Sequence, residues 1–176
     1  DEFTRFGKMP EIKKAPRRLR DSIDEVVSVY RDFKDVSIRV SVPGDSPLVD
    51  MDGEQFKRVL INLFDNAIQA MNAGDKAIAM YEVSGRRNGG PAIEVRVEFN
   101  PAENRVLIDI ADNGPGIRDE DKDKLFLPYF STRDGGTGLG LAIASRIIAE
   151  HRGYLRVRDN EPQGSVFTIE MPIKEG

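Results

Sequence analysis

The chain has 176 residues, 39% hydrophobic and 32% charged, and 26 Lys and Arg against 30 Asp and Glu leave a net charge of -4. That length suits one domain with its own core, and mild acidity gives no reason to expect a nucleic-acid partner. The lack of Cys excludes disulfides, thiolate metal sites and cysteine nucleophiles, and a single His, His151, excludes a multi-His metal cluster.

Residues 1–16 carry two prolines and little periodicity and read as an entering arm, with Phe3 and Phe6 fitting the last turn of an earlier helix. Leu19, Ile23, Val26, Val27 and Tyr30 then recur at three- and four-residue steps, the apolar stripe of a helix. The basic run Lys13, Lys14, Arg17, Arg18 and Arg20 reads as a solvated face in preference to an anion site. Ile38, Val40 and Val42 alternate with Arg39 and Ser41 in a half-buried strand ended by Pro43-Gly44. A short strand at 48–51 precedes a long helix over 54–71 with a broad apolar face. Residues 77–83 fit either a strand or a helix extension, and 84–90 a loop. Residues 93–99 and 106–110 alternate cleanly around Asn100-Pro101, an antiparallel hairpin. A helix over 139–151 and a strand pair at 154–157 and 165–171 follow. No apolar run reaches the roughly 18–20 residues that cross a bilayer, so a soluble intracellular domain is expected. The mixed element order predicts an α+β fold in two layers, a largely antiparallel mixed sheet with helices on one face.

Four segments hold candidate chemistry. Asn62 and Asn66 lie four apart inside the long helix, so both amides leave one face. Amide oxygens suit a hard cation such as Mg²⁺, and poor helix formers among Leu63, Phe64 and Ala67 need partners. Asp112-Asn113-Gly114-Pro115-Gly116-Ile117 follows a strand and turns sharply enough to bring a flat ligand to the main chain, with Asp112 as acceptor for an amino group. Taken alone it reads equally as a plain loop. The aromatic run from Leu125 to Arg133 contains Phe130, with Phe126 and Leu127 read as a plug anchoring a loop and Arg133 as a phosphate fork. Finally, Gly135-Gly136-Thr137-Gly138-Leu139-Gly140-Leu141 runs straight into a helix, which gathers free N–H groups and a positive dipole end into an anion site. It is neither a Walker loop nor a dinucleotide fingerprint.

In this order the four segments resemble the nucleotide-binding domain of sensor histidine kinases, of the superfamily that includes gyrase, Hsp90 and MutL. The likeness covers roughly 17–173, and Asn-Ala-Ile-Gln-Ala-Met with Tyr-Phe-Ser-Thr-Arg is most similar to the nitrogen-regulation group. It implies ATP as substrate, ADP as product, and Mg²⁺ held with the phosphates by Asn66 and Asn62. Asp112 would take the adenine amino group, with Gly114, Gly116 and Ile117 around the base. Residues 118–137 would form a flexible lid. Phe130, Arg133, Gly136, Thr137, Gly138, Leu139, Gly140 and Leu141 would complete the nucleotide site, Arg133 and Asn66 serving phosphoryl transfer. Thr168 would lie near the adenine, although a plain strand threonine fits equally well.

The likeness further implies a division into a linker from a dimerisation and phosphoacceptor domain (1–16) and a catalytic domain (17–176). The partners would be that phosphoacceptor domain and, indirectly, a response regulator receiver domain. The whole kinase would be a homodimer, anchored at a membrane with this part cytoplasmic; the domain alone would be a monomer. His151 reads as a surface residue at a helix end and not as the phosphoacceptor, which leaves the histidine elsewhere. Asn62 stands where ATP-hydrolysing relatives of the gyrase type carry a glutamate base, which favours a kinase over an ATP-driven clamp or a non-catalytic nucleotide sensor. Gln69 stands where many kinases carry a lysine near the phosphates.

Overall fold

A computed structural model describes residues 11–32, 36–72, 90–132 and 135–174. A short strand β1 (Ala15–Arg17) leads into helix α1 (Leu19–Tyr30), strands β2 (Ser37–Ser41) and β3 (Val49–Met51), and the long helix α2 (Gly53–Asn72). Strands β4 (Ala92–Asn100) and β5 (Arg105–Asp112) follow, then a short helix α3 (Asp119–Lys122), helix α4 (Gly140–Glu150) and strands β6 (Tyr154–Asp159) and β7 (Ser165–Pro172). The expected strand or helix at 77–83 and the arm before residue 11 lie outside the described residues.

Five strands form one sheet in the order β2-β4-β5-β7-β6, and only the β2–β4 pair is parallel. Alternation along the strands sorts the faces: Val95, Val97, Ile108, Ile110, Phe167 and Ile169 are buried under the helices. Their neighbours Arg96, Asp109, Thr168 and Glu170 face away, where Arg96, Asp109 and Glu170 form ion pairs and Thr168 hydrogen-bonds Asp109. Leu19, Ile23, Val27 and Tyr30 of α1, Phe56, Leu60, Leu63 and Phe64 of α2, and Ile147 and Ile148 of α4 close the core above the sheet. This is the α+β, two-layer arrangement expected, with helices on one face.

β1 is a feature that the residues did not announce. It pairs antiparallel with β3 in a separate two-stranded sheet, with Pro16 inside it, where a strand pair open on its outer edge tolerates a missing N–H. The strand straddles residue 16, so the chain on both sides of that position belongs to one hydrogen-bonded unit. Lys13 N–H also donates to Asp52 Oδ2 at 2.8 Å, and Asp52 Oδ1 caps α2 by accepting from the Glu54 and Gln55 amides, both at 3.1 Å.

A candidate nucleotide site

The middle of α2, the loop after β5, the segment after α3 and the start of α4 enclose a cavity of about 730 Å³. Each wall follows from local sequence. On α2, Asn62 and Asn66 face the cavity as their spacing predicts, and Asn66 Nδ2 donates to the Asn62 carbonyl at 2.9 Å, which orients the amide. Asn62 Nδ2 is buried with no partner. A buried amide donor without an acceptor is costly.

Asp112 ends β5 against the cavity and is only 4% exposed. Its Oδ1 accepts the Gly114 amide at 2.8 Å, and a Cβ on Gly114 would sit 2.9 Å from that oxygen, so a larger residue here would push the Asp112 carboxylate aside. Gly116 and Ile117 line the cavity, while Gly114 supports Asp112 from behind. Outside the sequence expectation, the turn after β6 holds this loop: Asn160 Nδ2 donates to the Asp112 carbonyl at 2.9 Å and Gln163 Nε2 to the Gly114 carbonyl at 2.8 Å. Nothing local to 160–163 signals a partner nearly fifty residues away in sequence.

The end of the cavity opposite Asp112 is built at α4. Phe130, Gly136, Thr137, Gly138, Gly140 and Leu141 line the cavity there. Leu139, expected beside the ligand, is instead 4% exposed within the core, because the residue that begins the apolar stripe of α4 turns inward. Its position as N-cap brings no side-chain cap, and the first turn of α4 carries no acidic residue. The first amides of α4 therefore remain open to an anion. Gly138 has φ +66° and lies so close to the Tyr129 and Phe130 backbone that a Cβ would stand 2.5 Å from Tyr129 C. Tyr129 N–H donates to the Gly138 carbonyl at 2.9 Å, which folds the aromatic segment over the glycines.

Three further expectations need correction and one lies out of view. Thr168 does not face the cavity: its hydroxyl donates to Asp109 Oδ1 at 2.5 Å on the opposite face of the sheet. Strand alternation places Ser165 and Phe167 on the cavity wall in its stead, a signal legible from Ile169 and Met171 onward. Leu127 is 55% exposed and anchors nothing, whereas Phe126 packs edge-on against Phe167 with ring centroids 6.4 Å apart. His151 is not on the surface; it is 3% exposed, with Nδ1–H donating to Ile147 O at 2.7 Å and Nε2 accepting from Asp52 N–H at 3.0 Å. Arg133 lies outside the described residues.

Asp65 reaches the cavity rim, but its Oδ1 accepts the Tyr30 hydroxyl at 2.7 Å. Burial, and then this bond to a carboxylate, hold the Tyr30 phenol well above its ordinary pKa. Asn62, the neutral amide at the centre of the wall, cannot act as a base toward water. Among the described residues no group of three or more His, Asp or Glu side chains could hold a metal ion. The amides of Asn62 and Asn66 fit a cation that brings phosphate and water oxygens as its remaining ligands.

The chain is similar to known proteins in sequence and in fold. Over 148 residues the chain is 31% identical to the sensor histidine kinase ZraS of Salmonella typhimurium, covering 84% of this chain and 28% of that protein. It is 31% identical to the nitrogen regulation protein NtrY of Azorhizobium caulinodans over 99% of this chain and 21% of the relative. The chain thus spans between a fifth and a third of the curated relatives it matches. The catalytic domain of histidine kinase ThkA superposes with a TM-score of 0.72 at 28% identity, covering 93% of this chain and 97% of that one. Residues 51–175 match the family described as histidine kinase-, DNA gyrase B-, and HSP90-like ATPase, and the chain belongs to that family.

Proposed function

We propose that this chain is the catalytic domain of a sensor histidine kinase, which binds ATP and orients its γ-phosphoryl group for transfer to a histidine on a separate dimerisation domain. One observation carries this reading: a buried carboxylate, Asp112, sits at one end of a cavity whose other end is the uncapped start of α4, with two amides between them. A base with an exocyclic amino group suits the first, and phosphates suit the second. Asp112 would accept from the adenine amino group, Ile117 and Gly116 would flank the ring, and the amides of Gly140 and Leu141 would receive phosphate oxygens. Asn66 and Asn62 would hold Mg²⁺, which when bound neutralises phosphate charge.

The transfer itself asks little covalent chemistry of this chain. An imidazole nitrogen of the partner domain attacks the γ-phosphorus, the bond to the bridging oxygen breaks, ADP leaves, and the imidazole proton passes to solvent. Positioning and charge neutralisation are the tasks left to the cavity. The receiver domain of a response regulator would take the phosphoryl group in turn, and the whole protein would be attached at a membrane. Among the described residues no helix is long and apolar enough to cross one.

The test supplies the missing partner. A separately produced helical domain with the phosphoacceptor histidine should gain acid-labile phosphate from Mg-ATP only when this chain is present. Asn66→Ala should abolish the transfer, and Asp112→Asn should weaken ATP binding by about tenfold or more, as expected for a lost charged hydrogen bond. Transfer undiminished by both substitutions would overturn the proposal.

A further inference from the structure

Among the described residues no carboxylate engages one arginine of the cavity wall. Arg58 precedes Asn62 by four residues, as Asn62 precedes Asn66, so the three side chains follow one another along a single face of α2. Arg58 is half-buried. The acidic groups nearest along the helix are occupied: Glu54 pairs with Lys57 at 2.7 Å, and Asp65 holds the Tyr30 hydroxyl. Arg118, the other arginine on the described wall, pairs with Glu120 and Asp121, both at 2.8 Å. Among the described residues Arg58 makes no hydrogen bond or ion pair. A half-buried guanidinium with no counter-ion, on the wall of a cavity open to an anion, calls for a negative ligand at that point.

Its place along α2 says which part of the ligand. The base end is fixed by Gly114, where a Cβ would meet Met71 at 3.4 Å and Ala70 at 3.6 Å. From Ala70 to Arg58 the helix advances about 18 Å at 1.5 Å per residue. Asn66 lies between them, and Asn62 beyond it stands beside Gly140, where a Cβ would be 3.4 Å from Asn62 Oδ1. Arg58 is therefore beyond the inner phosphates, at the outer end of an extended nucleotide. We infer that Arg58 binds the terminal phosphate of ATP and supplies on this wall the positive charge that Gln69 does not. The inference rests on the nucleotide reading of the cavity.

The experiment compares ligands that differ only in that phosphate. Displacement of a fluorescent nucleotide from the whole chain gives affinities for ADP and for a non-hydrolysable ATP analogue, each with Mg²⁺. Arg58→Gln should weaken the analogue about tenfold and leave ADP within about twofold, as loss of one charged contact requires. Arg58→Lys should recover part of the loss, since it keeps the charge without the fork. Asp112→Asn should weaken both ligands alike. Equal losses for both ligands, or none, in an Arg58→Gln chain with wild-type thermal unfolding overturn the inference while leaving the nucleotide site intact. Failure of the wild-type chain to bind either ligand would instead remove the nucleotide reading and this inference together.

Discussion

Burial sets the chemistry of His151. Removal from water is the largest cause holding its imidazole below the ordinary pKa of 6.5, reinforced by Lys14 and opposed by the Ile147 carbonyl, Asp52 and Glu150. The ring is therefore neutral in the folded chain near pH 7, and both nitrogens are committed, one to the end of α4 and the other to the Asp52 amide that begins the capping turn of α2. Protonation would turn Nε2 from acceptor to donor against an N–H group. The unfolded imidazole takes up its proton as pH falls through about 6.5, while the folded one resists. The unfolded state thus binds more protons, and this group's contribution to stability is lost as pH falls from 6.5 toward the lowered folded value. His151→Phe should cost about 1–3 kcal/mol at pH 7.5, because the Asp52 amide loses its acceptor, and the cost should shrink at pH 5.5. Urea unfolding of both chains at the two pH values measures it; a cost that stays constant with pH would refute the assignment.

At the scale of elements, the turn 160–164 decides whether the Asp112 end of the cavity exists. Gly164 has φ +109°, and a Cβ there would stand 1.9 Å from the Asp112 carbonyl oxygen, closer than any relaxation of a side chain could relieve. Gly164→Ala should therefore displace the Asp112 loop, destabilise the chain by about 2 kcal/mol or more and weaken ADP binding; chemical unfolding and nucleotide displacement would show both. Unchanged ADP affinity in that variant would separate the turn from the site. This dependence marks a limit of sequence reading. Periodicity places α1, α2, α4 and the β4–β5 hairpin because each encodes its own buried face within ten or twenty residues. The Gln163 and Asn160 amides point to no partner until β6 and β7 bring their turn onto the end of β5. β1 escapes for a related reason: three residues with a proline carry no pattern, and only β3 gives them a ladder. Thr168 was open to the correct assignment, since alternation from Ile169 already turns it away from the helices.

For the whole molecule, the layers separate a binding task from a hydrolytic one. The helices and sheet enclose a core, and at the α4 end of the cavity Asn62 of α2 stands beside Gly140 of α4. A reaction with water needs a base within hydrogen-bonding reach of that end. Asn62 is neutral, Asp65 is tied to Tyr30, and Asp112 closes the opposite end beneath the Gly114 turn. Self-phosphorylation should fail for a separate reason, since the single histidine is buried with both ring nitrogens bonded, on the far end of α4 from the cavity. Incubated alone with Mg-ATP, the chain should retain nucleotide, release inorganic phosphate no faster than background and carry no acid-labile label. Phosphate release and label retention are read from one reaction with γ-labelled ATP. Steady turnover that Asp65→Asn abolishes would show that the Tyr30-bound carboxylate serves as a base after all, and acid-labile label on His151 would show that α4 opens far more readily than its packing allows.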